Sequence, residues 1–308
     1  MTTNEELCLL ENYARYSYTG QGQIVDLGCW LGATTLCLAR GLADNAQHRH
    51  LRAIDAIDRF VWEDWMTPIA AALGVTKAYR AGDDYLAEVE ALLSGYEQMV
   101  RLRREDLSRR QSFRPRVEFL LIDAMKSWDL ANAISRTFFP RLIPGRSLVV
   151  QQDFGYHAAI VATNHLLMWQ LREHFECINC VPRSCSAVYF HTKAIARRDL
   201  PVLSPDSVTL DMIDQAWEHS LSVADSAMRP AVLMCKLLFL IERGAPEAAV
   251  AAAERLNAES QPVSNAALID AQRMIADSSA FAWQDRAAAQ TWNRLGDIIG
   301  TLAVRTGY

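Results

Sequence analysis

The chain has 308 residues, enough for one large domain or two modest ones, since domains run to about 100–200 residues. Hydrophobic residues make up 51% and charged residues 22%, the balance of a soluble protein with a core, and a formal charge of −5 leaves no basic footprint for nucleic acid. No run reaches the roughly 18 consecutive apolar residues of a membrane span, and seven irregularly spaced cysteines suit reduced thiols in a cytoplasm.

Residues 1–20 read as an amphipathic helix, too acidic for a signal peptide. "QIVDLG" is a buried strand and "TTLCLARGLA" the helix after it, with "LRAIDAID" a second strand. "MTPIAAALG", with Pro68 in its first turn, and "YLAEVEALLSGY" are helical. "MVRLRREDL" alternates as a third strand; the surrounding "RLRREDLSRR" mixes both signs and reads as a solvated strand end. "VEFLLID" is a continuous apolar run suited to a central parallel strand. "SWDLANAISRTFFPRL" gives a helix, "SLVVQQD" a fifth strand and "ATNHLLMWQLREHF" another helix. "FECINCV" and "SAVYFHT" close the series as an antiparallel pair. This alternation predicts an α/β fold: a doubly wound, Rossmann-like, mostly parallel seven-stranded sheet with helices on both faces.

"RRDLPVLSPDS", residues 197–207, has two prolines and no hydrophobic period, and reads as a linker. The expected division is therefore a domain over 1–197 and an all-helical C-terminal domain over 206–308. "LLFLIERGAPEAAVAAAERL" resembles one helical-hairpin repeat unit, but no period recurs, so a small bundle is expected rather than a solenoid. In "HFECINCVPRSC", His174, Cys177, Cys180 and Cys185 crowd together near His191. A zinc site would want a second C-x2-C pair, so packing of the cysteines as small hydrophobes is the favoured reading.

Chemistry concentrates in "IVDLGCWLGATT". In an open parallel sheet, ligands bind at the carboxyl ends of strands where the strand order reverses. Asp26 stands at such an end. Gly28 permits the sharp turn, Gly32 a close backbone approach, and Thr34 opens a helix whose free N–H groups favour an anion. A nicotinamide dinucleotide would call for G-x-G-x-x-G, whereas Cys29, Trp30 and Leu31 fill that space here. An acid heading the turn suits a ligand with an amino group, and S-adenosylmethionine combines ammonium, carboxylate, ribose and adenine. Asp58, ending the second strand, would accept the ribose hydroxyls, and Asp106, ending the third, the adenine amine.

"GQIVDLGCWLGATT", "AIDAIDRFVWEDWM", "FLLIDAMKSWDLANAI" and "LIPGRSLVVQQDFG" resemble the class I S-adenosylmethionine-dependent methyltransferases over residues 18–192, nearest the macrocin O-methyltransferase type. The resemblance implies an O-methyltransferase acting on a hydroxyl of a sugar, natural product or other small molecule. It implies cofactor contacts at Asp26, Gly28, Trp30, Gly32, Thr34, Asp58, Asp106 and Asp123, and catalytic roles for Asp123, Lys126, Asp153 and His157. The metal-dependent sugar branch ends its fourth strand D-x-D and carries D-D on the fifth. Here those positions are Asp123, Met125, Gln152 and Asp153. The loss of carboxylates weakens a divalent-metal site, so a metal-free reaction is favoured, the alternative being magnesium or calcium on Asp123, Gln152 and Asp153. Lys126, spaced D-x-x-K from Asp123 as in catechol-type enzymes, would be a base with a lowered pKa; the alternative is a solvated lysine at a helix start. His157 is either a second base or a loop histidine satisfied by water, and His165 is expected to be structural. Trp62 and Trp65 are either a pocket wall or core. The alternative to an enzyme is a degenerate domain that binds cofactor without turnover. The apolar stripes of the tail should pack on the first domain or pair across a homodimer, a free bundle on a flexible linker being the other arrangement.

Overall fold

The computed structural model describes residues 2–109, 112–259, 263–281 and 286–305. The elements follow the order that the hydrophobic pattern predicts. α1 (Asn4–Asn12), β1 (Gln23–Leu27), α2 (Ala33–Ala43), β2 (Ile54–Asp58), α3 (Met66–Ala72) and α4 (Leu86–Leu92) come first. They lead into β3 (Val100–Arg104), β4 (Val117–Ile122), α5 (Trp128–Phe138), β5 (Leu148–Gln151), α6 (Ala162–Gln170), β6 (Phe175–Cys180) and β7 (Ala187–His191). α1 starts at a capping box: the Thr3 hydroxyl accepts the Glu6 N–H and the Glu6 carboxylate accepts that of Thr3. It ends earlier than the pattern implied, widening into a π-helical turn over Tyr13–Ser17.

The strands form one seven-stranded sheet in the order β3-β2-β1-β4-β5-β7-β6. All neighbours pair in parallel except β7, which runs against both β5 and β6, so the antiparallel ending expected from the sequence is present. The chain moves outward from β1 to β3 and then returns to β4 on the other side of β1. The order therefore reverses between β1 and β4.

Alternation along β1 sends Val25 and Leu27 to one face, against α5, α6 and the C-terminal helices, and Ile24 to the other, toward α1 and α2. Helices thus cover both faces. β4 keeps this alternation only because of a bulge: Gln23 pairs with Val117 and Ile24 with Phe119, leaving Glu118 as the extra residue. The fully buried Glu118 carboxylate accepts N–H groups from Thr19 (2.8 Å) and Gln21 (2.8 Å) and is paired with Arg146 (2.9 Å).

Beyond the sheet lie α7 (Leu210–Val223), α8 (Arg229–Glu242), α9 (Pro246–Ala258), α10 (Asn265–Phe281) and α11 (Arg286–Arg305). α8 is the centre of this layer, buried without a break from Val232 to Ile241. The stretch expected to be a linker is tied down. Leu200 and Leu203 are buried, and the Asn132 side chain on α5 both accepts the Leu203 N–H (2.8 Å) and donates to the Leu203 carbonyl (2.7 Å). α7 meets α6 where the His165 imidazole lies 2.9 Å from the Ser220 hydroxyl and packs on Trp217. α8 reaches the segment after β5 through the Cys235 thiol, which donates to the Ala158 carbonyl (3.3 Å). The tail helices therefore share one core with the sheet. Among the described residues no helix is long and apolar enough to cross a membrane.

Candidate site at the carboxyl edge of the sheet

The first turn winds through alternating left-handed residues, Gly28 (φ 81°), Trp30 (φ 42°) and Gly32 (φ 84°). Glycine is required at the first for lack of room: a Cβ on Gly28 would meet the Asp123 carbonyl at 3.0 Å. Gly32 also makes a close approach, but to Val89 and Leu92 of α4 rather than to open ligand space. Asp26 points to the α2 side and is fully buried. One of its oxygens accepts the hydroxyls of Thr34 (2.8 Å) and Thr35 (2.6 Å), which fasten the end of β1 to the first turn of α2. The other oxygen is buried with no donor among the described residues. Burial raises the Asp26 pKa to about 6 against the pull of the two threonines.

Asp58 is the hub of the edge. It accepts the Trp30 N–H (3.0 Å) on one oxygen, and the Phe60 N–H (2.9 Å) and Tyr85 hydroxyl (3.0 Å) on the other. Its first oxygen, with one donor, keeps a lone pair for a further donor. Trp30, held in a costly backbone conformation, is thereby fixed against β2, with its ring 6.0 Å from that of Trp65. The two tryptophans of "FVWEDWM" separate. Trp62 is core, stacked on Tyr79 and donating to Thr67, whereas Trp65 is 51% exposed at the edge. Tyr85 was not singled out from the sequence; its 27-residue separation from Asp58 leaves no local signal.

At the ends of β4 and β5 the Lys126 ammonium lies 2.7 Å from the Asp123 carboxylate and 3.0 Å from that of Asp153. This overturns the lowered pKa expected of Lys126. Burial does work against its charge, but the two carboxylates outweigh it and raise the pKa above the ordinary lysine value. The Lys126 ammonium is thus held between two carboxylates. The Asp123 carboxyl is shifted too: burial lifts its pKa, Lys126 opposes the rise, and Asp153 adds to it. The residues do not fit a divalent ion. The ammonium already stands between the two acids, Met125 is buried, and the Gln152 amide nitrogen donates to the Thr2 hydroxyl (3.0 Å).

His157 follows β5, half-buried, its ring 4.7 Å from that of Tyr156, with no hydrogen-bond partner among the described residues. Burial lowers its pKa, and Asp270 of α10 partly counters this. The helical tail thus contributes charge beside the edge, and it packs on the backbone there too, since the Met228 side chain leaves no room for a side chain at Gly155. Tyr156, likewise not anticipated, is within electrostatic reach of Asp153 and Lys126.

Asp106 does not present a free carboxylate to the edge: it accepts the N–H and hydroxyl of Ser108 and pairs with Arg109. The cysteine-rich stretch disperses. His174 bonds to the Lys193 carbonyl, Cys177 and Cys180 contact each other beside α7, and Cys185 sits against Gly155. Among the described residues no group of three metal-ligating side chains forms. The sequence matches no protein-family model and no curated protein.

Proposed function

We propose that the protein is an S-adenosylmethionine-dependent O-methyltransferase with a Rossmann-like catalytic domain, acting on a hydroxyl of a small molecule or glycan. The observation that carries this reading is a convergence at the carboxyl edge beside the β1/β4 reversal. The Gly28–Gly32 turn, the Asp58 hub and the Asp123–Lys126–Asp153 trio all meet there. The unpartnered Asp26 oxygen and the spare lone pair on Asp58 are acceptors that fit the amino and ribose groups of this cofactor. Bound there, the cofactor supplies an electrophilic methyl group. The chain aligns a hydroxyl with it and removes the proton. Asp123, with its raised pKa, accepts that proton, and Lys126 stabilises the negative charge on the acceptor oxygen as it develops.

Calorimetry with S-adenosylhomocysteine and with NAD tests the ligand: preferential binding of NAD would sink the reading. A methyl-release assay against sugars, phenols and cell extract tests the reaction. The tight hold on Lys126 favours one competing reading, a domain that binds cofactor without turnover. Cofactor binding with no methyl release across the panel would select it.

A further inference from the structure

A cavity of about 420 Å³ lies along α5, lined by Ser108, Asp129, Asn132, Ala133, Arg136, Thr137 and Arg197. Its α5 residues fall at i, i+3, i+4, i+7 and i+8, one face of the helix, and span about 12 Å at the helical rise. Ser108 comes from the loop after β3 and Arg197 from the strap after β7. The cavity therefore runs down α5, away from the carboxyl edge, and shares none of the edge residues.

Three of its groups lack partners. Neither the Arg136 nor the Arg197 guanidinium has a hydrogen bond or ion pair among the described residues, although acids elsewhere on the surface hold most nearby arginines. Thr137 is only 3% exposed, and its hydroxyl has no partner among the described residues. A buried helical hydroxyl ordinarily bonds back to a carbonyl or to a neighbour. Thr137 lines the cavity, so its hydroxyl is a donor a ligand there can use. The volume is within the range of small-molecule sites.

We propose that this cavity binds a phosphate monoester of a small hydroxylated molecule. Two guanidinium forks and a hydroxyl donor suit a dianionic tetrahedral group better than a carboxylate, which one fork alone satisfies. Asp129, two helical turns from Arg136 and Thr137, would repel a second phosphate but accepts a hydroxyl from the body of the ligand. The Asn132 amide is committed to Leu203, so it shapes the wall rather than binding. The site ties the α5 face to the strap leading into the helical tail.

The test is calorimetry on the full chain at low ionic strength with glucose 6-phosphate, inorganic phosphate, glucose and succinate. Glucose 6-phosphate should bind best, inorganic phosphate more weakly and glucose not at all, and added salt should weaken both phosphates. Arg136→Ala and Arg197→Ala should each cost tenfold or more in affinity. Thr137→Val removes only the hydroxyl, leaves no protein partner unsatisfied, and should weaken binding severalfold with unchanged thermal stability. S-adenosylhomocysteine binding should be unaffected in all three, which separates this site from the carboxyl edge. The proposal is overturned if no phosphate monoester binds, if succinate binds as well as glucose 6-phosphate, or if the double arginine variant retains wild-type affinity.

Discussion

Single side chains at the carboxyl edge carry more than one duty, and Asp58 is the clearest case. It accepts two backbone N–H groups and the Tyr85 hydroxyl, so it builds the edge as well as offering a lone pair there. Asp58→Ala is expected to lower stability by about 1–3 kcal/mol through the donors it strands and to weaken S-adenosylhomocysteine tenfold or more. Urea unfolding and calorimetry measure the two effects, and an unchanged affinity would remove Asp58 from the binding surface. Asp123 makes a prediction about pH. A base must be deprotonated, so methyl transfer should rise with pH through the raised Asp123 pKa and level off above it. Asp123→Asn should erase that limb and most of the rate, while a limb that persists in the variant would pass the role to His157. Lys126 shows what a spacing alone leaves out. D-x-x-K brings lysine and acid together, but the second acid, Asp153, comes from the next strand and turns the expected lowering of the lysine pKa into a rise.

Elements are shaped by a few buried polar groups as much as by hydrophobic period. "VEFLLI" reads as a uniform apolar strand, and its one charged residue gives no hint of a bulge. The bulge turns Glu118 out of the ladder, where its carboxylate gathers the chain from Thr19 to Gly22 and the Arg146 guanidinium, which in turn donates to the Ser17 carbonyl. Glu118→Ala leaves Arg146 without its carboxylate and several backbone donors unpaired. It should cost about 3–5 kcal/mol, as breaking a buried pair does, read as a lower urea midpoint. A loss below about 1 kcal/mol would mean that water replaces the carboxylate there. A second irregularity lies on the edge strand β6, where a register shift between Cys177 and Asn179 leaves Ile178 51% exposed.

On the scale of the whole molecule, the sheet and the helical tail are joined by buried contacts, with His165 at the seam. Burial pushes its pKa down to about 3, from an ordinary value of 6.5. The unfolded chain therefore binds the proton that the folded chain refuses between those values. Stability from this group is complete above pH 6.5 and is lost as pH falls toward 3, by on the order of a few kcal/mol. His165→Asn should flatten the decline of melting temperature with acid relative to wild type, and parallel curves would dismiss the histidine as the cause. Truncation after Arg198 should expose the α6 face that packs on α7 and α8. The truncated protein is expected to aggregate or lose its cooperative transition in light scattering and thermal melts. A soluble, monomeric, equally active fragment would show that the tail is dispensable.

Local physics was sufficient for the elements. Period, turn residues and caps are short-range properties, and they determined seven strands, their alternation with helices, the antiparallel close and the acids at the strand ends. The sheet order and the partners of those acids depended on contacts between distant residues, which hydrophobic pattern does not encode. A period says which face a residue takes, not what stands opposite. Only in three dimensions does Asp26 close on Thr34 and Thr35, Asp106 on Ser108, and Gln152 on Thr2. The same holds for the tail: its apolar stripes announced that something must cover them, and the geometry of α6 and the segment after β5 decided that the sheet does.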